Sequence, residues 1–457
     1  MSRLARLVGI AAITVASLPM GPQPAPAASG RPNVLIILTD DQRPDTLEVM
    51  PETRRWFEAG GTSFRNAFAT TPLCCPSRAS IYTGRYAHNH GVRTNKHAHR
   101  LDERKAIQRY LGQNGYLTAI TGKYLNSWEI RRDPRGFDRW ALSRGGYRGF
   151  RTNVDGVLGR SRAYQTKWVQ RTAVRFLRWF ERRDARPWML FVNTLAPHGS
   201  FDPAKQYANA AVPPRVAGPA AFEVDRSDKP PWVQRNTGPM RPVSEVRTKQ
   251  LRTLMSVDDL VDRLMIELGE LNERRRTLAV FLSDNGYFWG EHMLNDKRLP
   301  YTEAVAIPFL LRWPGHVAPG RVDTRLVANV DLAPTVLQAA GIPRSKLRER
   351  LDGRSVLGTH VRDRMLLEYW TDRTGARYPD WASIRTRRFQ YAEYYAKDGT
   401  RIFREYYDLL TDPWQLENLL GDASAVNDPP RGELAELSSD LASLRACRGT
   451  GGRAACP

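Results

Sequence analysis

Cysteine is scarce in this chain, four residues in 457, and that scarcity excludes a disulfide-built scaffold. Two of the four, Cys74 and Cys75, are adjacent, a poor geometry for pairing with each other. Cys447 and Cys456 lie in a Gly-rich tail and could close a small loop in an oxidising compartment. Long apolar runs are also missing. After residue 28 no stretch approaches the ~20 residues that a membrane-spanning helix needs, so no stable membrane insertion is expected. There is no internal repeat and no recognised nucleic-acid module, and charge alone does not imply a nucleic-acid partner. Acidic residues are in deficit: 48 Asp and Glu face 69 Lys and Arg, a formal net charge of +21. Such a field favours polyanions or an anionic surface, or else reflects solvated basic faces.

What is present is ordinary globular composition, 41% hydrophobic and 26% charged, in a chain long enough for one large domain and a smaller one. Residues 1–28 carry the features of an export signal. Arg3 and Arg6 form the basic start, residues 7–18 an apolar run, and Ala25-Pro26-Ala27 a small-residue cleavage site. The expectation is a signal peptide and a secreted or extracytoplasmic protein, with an uncleaved anchor as the alternative. Residue 33 then opens the run NVLIILT, typical of a strand buried on both faces. Similar runs recur at 116–121, 188–195, 277–283 and 308–312. Between them, Leu254, Val257, Val261, Leu264, Leu268 and Leu271 step by three and four along one helix face. A second helix over about 163–183 buries Val169, Ala173, Phe176 and Phe180, with Lys167, Arg171, Arg175, Arg178 and Arg182 opposite. This alternation predicts an α/β fold: a large, mostly parallel sheet flanked by helices. Residues 200–243 are Pro-rich and aperiodic, a long surface excursion. From 359 to 457 short strands and a last helix over about 433–445 predict a smaller C-terminal α+β subdomain with an antiparallel sheet.

Polar motifs fall where the strands end. Asp40-Asp41 follows the first strand, Lys123 the second, His198 the third, and Asp284-Asn285-Gly286 the run 277–283. In an open α/β sheet, ligands bind beyond the carboxyl ends of the strands, so four weak signals point into one site. Three carboxylates meeting there would repel by about 4 kcal/mol per pair at about 4 Å and an effective dielectric of roughly 20. A cation resolves this. Asp40, Asp41, Asp284 and the amide oxygen of Asn285 are an all-oxygen set, which suits Ca²⁺ or Mg²⁺ over Zn²⁺.

The most informative stretch is Cys74-Cys75-Pro76-Ser77-Arg78, with Thr83-Gly84-Arg85 shortly after. A small reactive side chain at a helix N-terminus faces free N–H groups and a positive dipole end, a natural seat for a tetrahedral anion. The pattern Cys-x-Pro-Ser-Arg followed by Thr-Gly resembles the signature of the type I sulfatases of the alkaline phosphatase superfamily. The resemblance extends through Asn33 to Gln42, Thr121-Gly122-Lys123-Tyr124, Ala196-Pro197-His198, Ser283 to Gly286, Asp296-Lys297, Asn329 to Thr335 and Tyr407 to Pro413, nearly the whole chain after the leader. His88-Asn89-His90-Gly91-Val92, Gly122 to Asn126 and Ser256 to Leu260 look most like N-acetylglucosamine-6-sulfatase and the extracellular glucosamine endosulfatases. Leu125 stands where many arylsulfatases have histidine, in agreement with that subgroup.

The resemblance implies a sulfatase domain over 29–358 and a sulfuric ester hydrolase. It implies that Cys74 is oxidised to formylglycine (3-oxoalanine) by a formylglycine-generating enzyme. One hydroxyl of the hydrated aldehyde attacks sulfur, and the other collapses to expel sulfate. Asp40, Asp41, Cys74, Asp284 and Asn285 would surround the metal. Arg78 would hold the nucleophile, Lys123 and Lys297 would bind sulfate oxygens, and His198 would do likewise or protonate the leaving alcohol. The substrate would be a sulfated carbohydrate, such as glucosamine 6-sulfate, or an aryl sulfate, with specificity carried by loops, mainly 136–162 and 200–243. Two alternatives stay open: a phosphonate monoester or phosphodiester hydrolase of the same superfamily, and a sulfated-glycan-binding protein with unmodified Cys74.

Overall fold

The computed structural model describes residues 30–457 apart from 184, 239–240, 373–375, 423 and 452–454; the leader expected over 1–28 lies outside the described residues. Residues Arg31–Pro457 form one compact unit. Its core is a ten-stranded mixed sheet. The strands are β1 (Asn33–Thr39), β2 (Thr62–Phe68), β3 (Leu117–Gly122), β4 (Arg139–Arg144), β5 (Phe150–Val154), β6 (Val157–Ser161), β7 (Trp188–Asn193), β8 (Thr277–Ser283), β11 (Phe309–Arg312) and β12 (Arg321–Ala328). The strands β9 (Phe288–Trp289) and β10 (Asn295–Asp296) make a separate ribbon. The order is β12-β2-β11-β8-β1-β7-β3-β4-β5-β6.

The five central strands β8, β1, β7, β3 and β4 are parallel. β1, β7 and β8 are buried at every position, as their unbroken apolar runs require. The run at 308–312 becomes β11, antiparallel to both neighbours, so the sheet is mixed rather than wholly parallel. The segment 136–162 is not a loop. It forms β4, β5 and β6, and Asp155-Gly156, both at positive φ, closes the β5–β6 hairpin. An Asp-Gly pair between two short strands is the sequence signal for that turn.

Two long helices, Gln165–Glu181 and Val243–Glu270, pack on one face of the sheet. The second begins eleven residues before Leu254, because Val246, Gln250 and Leu251 extend the buried stripe N-terminally. Segment 200–242 holds three short helical turns, Lys205–Tyr207, Pro219–Phe222 and Pro231–Gln234. Beyond it, β13 (Met365–Tyr369), β14 (Asp380–Arg385), β15 (Phe389–Tyr395) and β16 (Arg401–Asp408) form an antiparallel meander. The helix Arg431–Arg445 packs on it through Leu434, Leu437, Leu441 and Leu444. Cys447 and Cys456 form a disulfide, and Cys74 and Cys75 are buried free thiols. Among the described residues no helix is long and apolar enough to cross a membrane.

Candidate active site

Because β1, β2, β3, β7, β8 and β12 run the same way, their exits lie along one edge of the sheet. Asp40 and Asp41 leave β1, Lys123 leaves β3, His198 follows β7 and Asp284 leaves β8. Asp41 has a φ of 67°, a left-handed conformation that aspartate tolerates. That turn lets two consecutive carboxylates face one space, where an extended strand would send them to opposite sides. Gly122 needs its φ of 97° for a similar reason. A Cβ there would stand 1.7 Å from the Asn193 carbonyl oxygen, against the chain that guides Lys123 inward.

Cys74 is the first residue of the helix Cys74–Thr83, after the exit of β2. Pro76 sits in the first turn, where a missing N–H removes no helix bond. Cys74 Sγ lies 3.4 Å from Asp40 Oδ1, 3.9 Å from Asp41 Oδ1 and 3.0 Å from Lys297 Nζ. Arg78, one turn on and fully buried, donates from Nε to Asp284 Oδ2 (2.7 Å) and from Nη2 to Asp40 Oδ2 (3.2 Å). Lys123 donates to Asp40 and Lys297 to Asp41. His198 stands at the rim, its side chain 34% exposed, with Nε2 3.8 Å from Asp41 Oδ2. Every residue expected at the site from the sequence is therefore gathered in one place.

The donor set fits a hard cation. Ligand atoms of Asp40, Asp41, Cys74 and Asp284 all lie within 4.8 Å of one another. Asn285 donates through Nδ2 to Asp41 Oδ1 at 2.7 Å, while its Oδ1 is buried without a hydrogen-bond partner. A buried acceptor with nothing to accept from is costly unless something positive meets it. Three carboxylates and an amide oxygen suit Ca²⁺ or Mg²⁺.

The electrostatics agree. Burial raises the Asp40 carboxyl, but Lys123, His198, Arg78 and Lys297 outweigh it and hold the group well below the usual range. Asp284 moves the other way, raised by burial and then by the charge of Asp40. Opposite shifts on two carboxyls sharing Arg78 are what like charges crowded into one buried space produce. Burial lowers both ammonium groups, yet Asp40 beside Lys123 and Asp41 beside Lys297 raise them, so both stay charged. The Cys74 thiol is pushed up by burial and by Asp40, only partly offset by Lys123 and Lys297. Cys75 is pushed up to about 12, chiefly by burial.

Some residues of the recognised motifs prove to hold the site rather than line it. Asn329, at the exit of β12, accepts from Thr70 N (3.1 Å) and donates to Ser77 Oγ (2.8 Å), pinning both ends of the turn that carries Cys74. Sequence reasoning gave it no role, although it opens the Asn329–Thr335 motif. Asn95 caps the same helix through Cys75 N at 2.9 Å. His88 binds Glu368 (3.0 Å) and the Cys447 carbonyl (3.0 Å), and His90 bonds Ser80 Oγ at 3.0 Å. Asp258 accepts from Glu52 N and Thr53 Oγ1, and so anchors the long helix. A cavity of about 190 Å³ opens beside Lys123 and His198, walled by Trp128, Leu142, Arg144 and Gln165.

The sequence model of the sulfatase family matches residues 32–342, well over half the chain. The chain belongs to the sulfatase family. A model of the C-terminal region of N-sulphoglucosamine sulphohydrolase also matches this sulfatase, over residues 290–439. The extracellular sulfatase SULF-1 homolog of Drosophila melanogaster is 35% identical over 369 residues, covering 76% of this chain and 33% of that protein. The Sulf-1 homolog of Caenorhabditis elegans is 34% identical and matched over 48% of its length, so the chain spans a third to a half of these two relatives. Human N-acetylglucosamine-6-sulfatase is 30% identical over 488 residues, covering 93% of this chain and 86% of that protein. Among the solved structures that share the fold, two bear on the site. One, in complex with its substrate D-glucosamine-2-N,6-O-disulfate, has a TM-score of 0.73 at 24% identity, covering 90% of this chain and 97% of that one. The other is the phosphonate monoester hydrolase of Agrobacterium radiobacter, with a TM-score of 0.68 at 23% identity and 91% and 96% coverage.

Proposed function

We propose that this sulfatase is a secreted enzyme that hydrolyses sulfate esters of sugars such as glucosamine 6-sulfate. The observation that carries the reading is the position of Cys74: first in its helix, buried, and ringed by Asp40, Asp41 and Lys297. The names of the relatives support the substrate class. Oxidised to formylglycine and hydrated, residue 74 would supply one hydroxyl to attack sulfur and a second to release sulfate, which the thiol cannot do. A Ca²⁺ or Mg²⁺ ion held by Asp40, Asp41, Asp284, Asn285 and residue 74 would supply Lewis acidity and neutralise developing charge.

The chain's own groups do the rest. Arg78 fixes Asp40 and Asp284 from the buried side, so the carboxylates keep their facing geometry. Lys123 and Lys297 stay protonated and present positive charge to the ester's oxygens. His198 accepts or donates at Nε2, because Nδ1 is 2.6 Å from the Gly199 carbonyl and held there as the N–H tautomer. From the rim it can give a proton to the departing alcohol. The cavity beside Lys123 and His198 receives the sugar. Since Cys74, Pro76 and Arg78 are wholly buried, a formylglycine-generating enzyme must meet this segment before the chain closes.

The fold likeness to a phosphonate monoester hydrolase keeps one other reading in view. Initial rates of the modified protein on glucosamine 6-sulfate, an aryl sulfate and an aryl phosphonate monoester separate the two. Faster turnover of the sulfates is expected. A dominant phosphonate monoesterase rate would overturn the assignment.

A further inference from the structure

A second anion-binding feature lies well away from Cys74. A cleft of about 770 Å³ runs between residues 344–351 and 448–451, and Arg344, Arg348, Arg350 and Arg448 line it. Its walls are fixed. The Cys447–Cys456 disulfide closes one, and Gly449 N donates to Asp352 Oδ1 at 2.7 Å to tie it to the other. Among the described lining residues Glu349 is the one carboxylate, and Lys105 neutralises it at 2.7 Å. Arg85, near enough for its charge to act on Glu349 as that of Arg448 does, is 5% exposed, with its Nε buried and without a hydrogen-bond partner. Four guanidinium groups along one cleft, with a further buried one nearby that lacks a full set of acceptors, make a region short of an anion.

Distance separates this cleft from the catalytic ring. Leu351 lines the cleft and lies against Gly84, at the far end of the ten-residue helix that begins at Cys74. At ~1.5 Å per residue that is about 15 Å. Lys346, on the same segment, bonds Asn114, which precedes β3 at the sheet edge opposite the one that carries Lys123.

We propose that this cleft binds a sulfated polysaccharide, as a second site that holds polymer independently of the reaction. Guanidinium forks match the oxygens of a tetrahedral anion with two parallel bonds, and four of them along one cleft match a run of such groups. A volume of about 770 Å³ suits a ligand of several rings rather than a single ion. Among the described residues no aromatic side chain lines it, so these offer none of the stacking platforms that single-stranded nucleic acid uses.

The test is calorimetric titration of the Cys74→Ala chain with a heparin dodecasaccharide at several salt concentrations. Because that chain turns nothing over, the outcome does not depend on the proposed reaction. Saturable binding that weakens steeply with salt is expected. Arg348→Ser with Arg448→Ser should weaken it at least ten-fold and flatten the salt dependence, while Glu349→Gln should tighten it several-fold. In the modified enzyme the double substitution should leave kcat and KM for glucosamine 6-sulfate unchanged and raise KM for the polymer. Heparin binding unaffected by both sets of variants would overturn the proposal, as would tighter binding of a single-stranded RNA of equal charge that Glu349→Gln also strengthens.

Discussion

At the scale of single residues, the site is a balance of three carboxylates against three permanent cations. Asp40, Asp41 and Asp284 face Arg78, Lys123 and Lys297, all in a space from which water is nearly excluded. Removing one member leaves a buried charge without its counterpart, which costs more than the pair contributes when intact. Lys297 reaches both Asp41 and Cys74 Sγ, so its loss removes a positive charge beside residue 74 and leaves Asp41 without that partner. Lys297→Met is expected to lower kcat/KM on a sulfate ester by at least ~100-fold, the size seen when one charge-stabilising donor is lost. Its melting temperature should fall, because Asp41 stays buried without that partner, while the protein remains folded at the assay temperature. Steady-state kinetics with a thermal melt check this, and an active Lys297→Met enzyme would remove the residue from the mechanism. The two adjacent aspartates were visible in the sequence as a pair. Their meeting with Asp284 was read from the strand exits, but the left-handed turn at Asp41 that lets both neighbours face one space was not.

At the scale of elements, the site is assembled by strands that all exit on one edge and by a few struts that join distant segments. One strut is the short helix Ala87–His90, bound through His88 to Glu368 on β13 and to the Cys447 carbonyl. His88 is raised from its ordinary 6.5: burial lowers it, but the charge of Glu368 and the bonds His88 donates to that carboxylate and to the Cys447 carbonyl prevail. Glu368 is lowered from 4.5, since His88 outweighs its burial. The histidine's contribution is complete below pH 6.5 and is lost as pH rises through its higher folded value. The glutamate's is complete above pH 4.5 and is lost as pH falls through its lower folded value. The pair therefore stabilises most between pH 4.5 and 6.5. His88→Gln should destabilise by about 1–3 kcal/mol in that window and by less toward pH 8, as read by denaturant unfolding across pH. A deficit that grows with pH would contradict the assignment.

The same scale decides what the sequence could reveal. Strands buried on both faces announce themselves as apolar runs, hence β1, β7 and β8. The strands β2, β4, β5, β6 and β12 carry mixed or exposed faces and go unannounced, β6 having four exposed positions of five. The orientation of β11 is set by its two partners, β2 and β8, and nothing local encodes it. The motifs in His88–Val92 and Ser256–Leu260 were legible as family patterns, but their work is to hold elements together. Separating that from a catalytic role needs their partners, Glu368, Thr53 and Glu52, which lie far away in sequence.

At the scale of the whole molecule, a basic protein gathers three carboxylates into one buried ring and exposes basic side chains along a helix face. The helix Gln165–Glu181 shows this: Lys167, Arg171, Arg175, Arg178 and Arg182 all lie exposed along it. A cation bound to the ring stabilises the folded state by mass action, by about 2.7 kcal/mol at a hundred times its dissociation constant. Adding Ca²⁺ to chelator-treated protein should raise the melting temperature in a concentration-dependent way, and Asp284→Asn should abolish the response. A melt indifferent to Ca²⁺ and Mg²⁺ would rule out the hard-cation site. The family, the sheet and the cluster at its edge were readable from motifs and strand exits. The far basic cleft was not, since it joins residues a hundred positions apart, tied where Gly449 N donates to Asp352.

The central claim is that residue 74 works as an aldehyde and not as a thiol. It is tested most directly by measuring turnover of glucosamine 6-sulfate across preparations in which the converted fraction of Cys74, read by peptide mass, runs from none to nearly all. The rate should rise in proportion to that fraction and extrapolate to zero for unmodified protein. A rate independent of conversion would contradict the account.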